Sequence, residues 1–282
     1  NWLTMSNKGY LLIANNNANN DYVKQAIFCA QRIKKFCNNA SVSVITSDGD
    51  YLRHNDNASV FDNIIDINYQ GINNRIIFDG ALSHKTVNWK NVGRHLAYEL
   101  TPYDETILLD TDYIFCNNSL DNCFGSTSDI MLYKQSKYIG NEQTEEFNRC
   151  SDEGIDFYWA TVIYFKKSIL GETLFELVSH IKDNWYYYNN LYQIKSPNFR
   201  NDYAFSIAVH TLNKMQNKYS VVGQLPGKMY YAKDQDFLEK VDDDKMVFLI
   251  GKKDHLGEYT LCSTEGLNTH VLNKASLERQ IG

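Results

Sequence analysis

Read for its apolar and polar positions, the chain opens as an alternation of short buried runs and amphipathic stretches. "GYLLIA" (9–14) is an apolar run bounded by glycine and an asparagine cluster, the pattern of a strand buried on both faces. Past "NNNANN", Val23, Ile27, Ala30 and Ile33 recur at helical spacing, with Asn20 or Asp21 placed to cap the helix. "VSVIT" (42–46) and "NIIDI" (63–67) predict the next two strands. Trp89, Val92, Leu96 and Leu100 form a second helical stripe that stops at Pro102. Strands are expected at "TILLD" (106–110), "DIMLY" (129–133) and "WATVIYF" (159–165). Helices over 168–185 and 201–212 follow, then strands at "YSVVG" (219–223) and "KMVFLI" (245–250). Such alternation implies an α/β fold, with a Rossmann-type mixed, mainly parallel sheet flanked by helices. The second half is less regular. No Pro/Gly-rich linker, internal repeat or low-complexity tract divides the chain, so a single domain over 1–282 is expected.

Composition narrows the function classes more than the fold. Hydrophobic residues are 43% of the chain, enough for a sizeable core. A net charge of −6 argues against a surface that grips nucleic acid all over, though a local basic groove stays compatible. Six Cys without a C-x-x-C pair carry no zinc or redox signature and fit reduced thiols, so a cytoplasmic location is expected. No apolar run is long enough to span a bilayer, and the first residues lack the basic-then-apolar order of a secretion signal. Met5 reads as the natural start, with the residues before it an addition.

One strand ends unusually. "ETILLDTDYIF" (105–115) closes an apolar run with Asp110 and Asp112, and apolar residues resume just after them. In a doubly wound sheet ligands bind beyond the carboxyl ends of the strands, which is where this pair falls. Two adjacent carboxylates repel, and burying them unpartnered costs several kcal/mol. A divalent cation removes that cost, and hard oxygen ligands suit Mn²⁺ or Mg²⁺. The plainer alternative is one aspartate capping a turn and the other solvated.

"ILLDTDYIF", preceded by the β/α half, resembles the D-x-D signature of metal-dependent glycosyltransferases of the GT-A fold. It is most similar to family-8-like enzymes and the glycosyltransferases of bacteriophages. The resemblance runs from "LLIANN" to "NTHVLNK" and is most specific at the D-x-D strand. It implies that Asp110 and Asp112 hold Mn²⁺ or Mg²⁺, with Thr111 beside a nucleotide-sugar donor, a UDP-sugar being favoured. It also implies a nucleotide-binding half over about 5–120, a sugar and acceptor half over about 121–282, and retention of the anomeric configuration.

The same resemblance implies a third metal ligand, a C-terminal His, and a Lys after it on the diphosphate. "NTHVLNK" offers His270 and Lys274, whereas "KKDHLGEY" offers His255 beside Lys252 and Lys253. Neither matches the family's H-x-x-G-x-x-K: Gly257 comes one residue early and no Lys follows at the right offset. His270 with Lys274 is preferred, since phage-type members carry a similar H-V-x-N-K segment. Lys90, Arg94 and Tyr98 recur at i, i+4 and i+8. Arg94 matches an Arg that approaches the donor and is taken as a catalytic candidate, with Lys85 as an alternative. Ala14 and Asn15 would approach the nucleoside base and Tyr22 would stack on it. Trp159, Ala160 and Thr161 match the strand lining the sugar pocket. Asn201 and Asp202 are N-cap candidates, and Asp202 also matches an Asp near sugar hydroxyls, a second catalytic candidate. Asp152, Glu153 and Asp156 form an acidic segment just before that strand.

The acceptor is left open. A phage-like origin raises a hydroxymethylated pyrimidine in DNA, with Lys134, Lys137, Lys166 and Lys167 as a local basic groove; a glycan or protein acceptor fits equally. Exposed members of "WYYYNNLY" (185–192) would stack on sugars or bases, unless they are core. No membrane or protein partner is evident. A sugar-nucleotide pyrophosphorylase would carry a Gly-rich, Arg/Lys-containing loop after the first strand, which "ANNNANN" lacks. The other rival is a non-catalytic nucleotide-sugar binding module.

Overall fold

The apolar run after Lys8 forms β1 (Lys8–Ile13), five of its six residues buried. The computed structural model describes residues 7–68, 71, 73–140, 147–151, 154–194, 196, 198–216 and 220–281; Met5, Asp152 and Glu153 lie outside them. Asp21 accepts the Lys24 N–H and so starts α1 (Tyr22–Phe36), whose apolar stripe covers the sheet. β2 (Val42–Thr46) and β3 (Asn63–Asp66) follow, separated by the short α2 (Gly49–Arg53).

The next segment corrects the sequence reading. β4 (Asn73–Phe78) and β5 (His84–Trp89) pair as an antiparallel hairpin, and Val87 and Trp89 point inward from its second strand. Trp89 therefore ends a strand, and the expected helix shrinks to a 3₁₀ turn over Arg94–Leu96 and α3 (Ala97–Leu100). Apolar residues at strand spacing had merged with the start of a helical stripe. Lys90, Arg94 and Tyr98 consequently share no helix face.

β6 (Glu105–Leu109) is wholly buried and leads to the two-residue β7 (Tyr113–Ile114). Then come β8 (Ile130–Tyr133), β9 (Ser136–Tyr138) and β10 (Trp159–Lys166). Ser168 caps α4 (Ile169–Asp183), after which α5 (Trp185–Leu191) and α6 (Asn201–Leu212) complete the helical half. Tyr219 of the expected strand at 219–223 lies outside the described residues, and of the rest only Gly223 enters a strand, β11 (Gly223–Gln224). The chain ends with β12 (Met229–Ala232), β13 (Phe237–Asp242), β14 (Lys245–Gly251), β15 (Tyr259–Glu265), β16 (Thr269–Val271) and α7 (Lys274–Ile281).

The main sheet runs β11–β8–β10–β6–β1–β2–β3. β1, β2, β3 and β6 are mutually parallel, and β10 is antiparallel to both β6 and β8. This is the mixed, mainly parallel α/β sheet that the sequence predicts, with α1 packed at β2 and α6 at β10. The chain steps outward through β2 and β3, then returns to lay β6 beside β1. That reversal opens a crevice at the carboxyl ends of β1 and β6. A second sheet, β7–β16–β12–β9, lies across this edge, and β13–β14–β15 form a meander.

Close packing under β1 gives a direct test. A Cβ on Gly9 would fall 2.3 to 2.6 Å from Tyr103 ring atoms, and that buried ring is tethered through its hydroxyl to Ser43 Oγ at 2.6 Å. Gly9→Ala should lower stability by about 1–3 kcal/mol, read as a lower urea midpoint at unchanged slope.

α7 is tied down at three places. Glu278 accepts from the Asn20 amide, the Asp21 N–H and the Gln25 amide at the start of α1. Arg279 grips Asp79 at the hairpin tip with two bonds of 2.9 Å, and Lys274 reaches Asp112. No helix of the described residues is long and apolar enough to cross a membrane. All six cysteines are free thiols.

Candidate active site

β6 stops at Leu109, and the extended geometry ends with it. The Tyr113 N–H donates to the Asp110 carbonyl at 3.3 Å, so Asp110, Thr111 and Asp112 form a turn at the crevice. β16 pairs antiparallel with β7, placing His270 opposite Tyr113, and the Val271 N–H donates to the Asp112 carbonyl at 2.9 Å. A residue far along the sequence is thereby fixed beside the carboxylate pair.

His270 Nε2 lies 3.2 Å from Asp112 Oδ1 and 3.9 Å from Asp110 Oδ2. One ligand atom from each of the three residues falls within 4.8 Å of the others. His270 Nδ1 is 3.1 Å from Thr161 Oγ1, which aims Nε2 at the carboxylates as an outer-shell partner does for a metal-binding imidazole. The Asp112 side chain is 2% exposed and that of Asp110 36%. Each carboxylate holds one cation: Arg94 donates to Asp110 and Lys274 to Asp112, both at 2.5 Å. Burial alone would push the Asp112 carboxyl up; the Lys274 ammonium, then His270, outweigh it and hold it well below the usual carboxylate range. For Lys274, burial works against the ammonium, and Asp112 overcomes it to raise its pKa. Lys274 also opens a helix, where the macrodipole disfavours a cation, so its pairing and not local propensity accounts for its place.

Two carboxylates and an oriented imidazole fit a divalent cation, with coordination positions left for other oxygens. The buried Arg94 adds an Nη1 with no partner among the described residues, a donor ready for an anionic ligand beside that cation.

Around this centre lies a cleft of about 410 Å³. Tyr22, Arg94, Asp110, Thr111, Asp112, Ala160, Thr161, Asp202, His270 and Lys274 all line it, as do Trp159 and Asn201. Asp202 Oδ1 accepts the Ala160 N–H at 2.8 Å and Oδ2 accepts from Arg200 at 3.0 Å. Burial raises the Asp202 carboxyl, but Arg200, the Ala160 N–H and Arg75 lower it overall. Thr111 donates to Gln25 at 3.0 Å and is anchored from beneath. Trp159 Nε1 and Asn201 Oδ1 are buried in the wall with no partner among the described residues.

Other expected positions stand apart. Ala14 and Asn15 are buried under the first loop and are not among the lining residues; Asn15 Oδ1 accepts the Ser47 N–H at 2.7 Å. His255 is in the exposed β14–β15 turn with Lys252 and Lys253, lining a separate groove. Lys85 is exposed on β5, and Tyr98 donates to the Ser168 carbonyl within an aromatic cluster. The four lysines form no groove at the cleft. Lys134 pairs with Asp156, Lys166 donates to the Ser126 carbonyl and Lys167 to the Tyr98 carbonyl. Lys166 is also at the far end of β10 from Trp159. Tyr186, Tyr187 and Leu191 are exposed on α5, while Trp185 packs against Tyr203.

Sequence reasoning missed Arg75, Arg200, Lys233 and Asp234, all in the cleft wall. Asp79-Gly80 between two β-like runs was a usable hairpin signal that would have put Arg75 on a strand. The other three sit in loops or at a helix start, with no periodic pattern to mark them.

No protein-family model matches the chain, and no curated protein matches it. Solved structures to which it is similar include the glycosyltransferase GlyE of Streptococcus pneumoniae TIGR4 in its apo form, at 10% identity and a TM-score of 0.44. That overlap covers 78% of this chain and 45% of GlyE, so the chain spans less than half of GlyE's length. A second GlyE structure gives 11% identity and a TM-score of 0.39, over 79% of this chain and 46% of that one. The galactosyltransferase LgtC, solved with donor and acceptor sugar analogs, gives 12% identity and a TM-score of 0.43, over 77% and 72% of the two chains. Overlaps this loose carry no argument.

Proposed function

We propose that this chain is a divalent-metal-dependent glycosyltransferase that moves a sugar from a nucleotide-sugar donor, UDP-linked on the resemblance, to an acceptor hydroxyl. The observation that supports this is the meeting of Asp110, Asp112 and His270 with Arg94 and Lys274 in one cleft beyond the carboxyl ends of β1 and β6. Asp110, Asp112 and His270 would hold Mn²⁺ or Mg²⁺, which when bound neutralises diphosphate charge as a Lewis acid.

In the reaction, the acceptor oxygen bonds to the anomeric carbon as that carbon's bond to the β-phosphate oxygen breaks. The nucleoside diphosphate leaves with the electron pair and takes up the hydroxyl proton. Arg94 and Lys274 would supply positive charge where the leaving group gains negative charge. Tyr22 would face the nucleoside, and Ala160 with Thr161 the sugar. Asp202, held by two fixed partners, would orient a sugar hydroxyl. Asn201 Oδ1 and Trp159 Nε1 add an acceptor and a donor suited to further hydroxyls. The halves 5–120 and 121–282 would supply the nucleotide and sugar walls. Retention at the anomeric carbon rests on the resemblance alone. A glycan acceptor is preferred to DNA because none of Lys134, Lys137, Lys166 and Lys167 lines the cleft, and three of them are engaged elsewhere. A cytoplasmic setting agrees with six free thiols.

The test is a screen of UDP- and GDP-sugars with Mn²⁺ or Mg²⁺. One donor should raise the melting temperature by about 5 °C near 100-fold saturation and be slowly hydrolysed, both effects vanishing with chelator. A chain that binds no nucleotide sugar with either metal refutes the proposal. Binding with neither hydrolysis nor transfer, to glycans or to hydroxymethylated DNA, indicates a binding module. Nucleoside triphosphate made from donor and pyrophosphate indicates a pyrophosphorylase.

A further inference from the structure

Of the cations that line the cleft, three are seen on a carboxylate. Arg94 is paired with Asp110, Lys274 with Asp112 and Arg200 with Asp202. Arg75 makes no ion pair or hydrogen bond among the described residues, although it lines the same cleft. Its guanidinium lies over the Trp89 ring, 4.6 Å from the centroid, which holds it in place without neutralising it. The Asn73 amide donates to the Phe199 carbonyl at 2.8 Å. Arg75 is two residues on from Asn73, on the same face of β4, and Arg200 is the neighbour of Phe199. The two guanidinium groups therefore share one stretch of wall.

A charge count under the proposed function leaves this cation unused. A divalent ion balances the two aspartates, and Arg94 and Lys274 then balance the two charges of a donor diphosphate. Arg200 keeps Asp202, and the adjacent Lys233 and Asp234 cancel in formal charge. One positive charge, on Arg75, is left over in the cleft wall.

Resting on that reading, we propose that the acceptor is acidic, bearing a carboxylate or phosphate that docks against Arg75 and Arg200. A planar anion can take paired N–H donors from a guanidinium, and a half-buried site strengthens such a bond over its value in water. Burial, and next the charge of Arg200, lower the pKa of Arg75, as expected where two guanidinium groups converge with too few counter-charges.

Calorimetry on the whole chain tests this, with methyl glucuronide and glucose 6-phosphate as acidic probes and methyl glucoside as the neutral one. Each titration is run alone and with UDP and Mn²⁺ present. At least one acidic probe should bind tenfold or more tighter than the neutral probe, and this preference should shrink as salt rises. Which acid wins separates carboxylate from phosphate recognition. In Arg75→Met the preference should fall to about unity, and Arg75→Lys should restore part of it. A wild-type protein with no acidic preference overturns the proposal. So does an Arg75→Met protein that keeps the preference but binds UDP with Mn²⁺ tenfold more weakly, because Arg75 would then serve the leaving group. Failure of UDP and Mn²⁺ to bind at all refutes the proposed function, while the probe titrations run alone still judge the anion site.

Discussion

Asp112→Asn should abolish metal-dependent nucleotide binding and reduce any sugar transfer by about 10³-fold or more, the scale on which a central charge-stabilising group acts. The substitution keeps the shape and removes the charge. Asp112 faces both His270, at 3.2 Å, and Lys274, at 2.5 Å, and is the more buried of the two aspartates. It is thus the residue through which metal ligand and diphosphate cation meet. The same change strands the Lys274 ammonium in a buried position, and breaking a buried pair by deleting one partner costs about 3–5 kcal/mol. Lost activity could therefore be lost folding. The double variant Asp112→Asn/Lys274→Met separates the two, since no buried charge is left unpaired. It should recover most of the stability in a urea titration and, unlike Lys274→Met alone, show neither Mn²⁺ binding nor Mn²⁺-dependent nucleotide binding. A double variant that regains nucleotide binding would remove Asp112 from the site.

Lys274→Met should produce a split result. The ammonium and a divalent ion compete for the same Asp112 carboxylate, so removing the ammonium should tighten Mn²⁺ binding measured without nucleotide, by several-fold. UDP affinity in saturating Mn²⁺ should fall by about tenfold or more, because a charge-assisted bond to the diphosphate is lost. The wild-type protein should accordingly bind metal and nucleotide each weakly alone and strongly together. Calorimetry with Mn²⁺, with UDP, and with both measures all three terms. If the variant loses affinity for both ligands in parallel, Lys274 is a packing residue and the exchange of partners does not occur.

What could be read in advance depended on how local the signal was. "TILLDTD" was legible because a buried five-residue strand and the pair that ends it lie in one short window. α1 was legible through its apolar stripe and its Asp21 cap, whereas α6 begins at Asn201, so the N-cap is Arg200 with no side-chain cap bond and not Asn201 or Asp202. The hairpin was not, because Trp89 fits a helical stripe as well as a strand and only pairing with Asn73 decides between them. His270 was preferred to His255 only through the resemblance of its H-V-x-N-K segment, since neither matches the H-x-x-G-x-x-K pattern. What separates them is the β7–β16 ladder, two residues of pairing between distant segments, which no spacing along the chain encodes. Ala14 and Asn15 are not in the cleft wall for a related reason: the loop they begin turns inward, where Asn15 bonds Ser47 and the cleft-lining Asn91.

The last helix has a consequence for how this chain tolerates cutting and fusion. α7 contributes nothing to the main sheet, yet from its eight residues Lys274, Glu278 and Arg279 reach the carboxylate pair, the start of α1 and the hairpin tip. It acts as a shared hinge pin for walls that are far apart in sequence. A protease nick just before Asn273 would leave every main-sheet strand in place and still unfasten the cleft from three directions. A tag joined directly to the last turn would strain the same pin, whereas one joined at an exposed tip such as the β14–β15 turn would not.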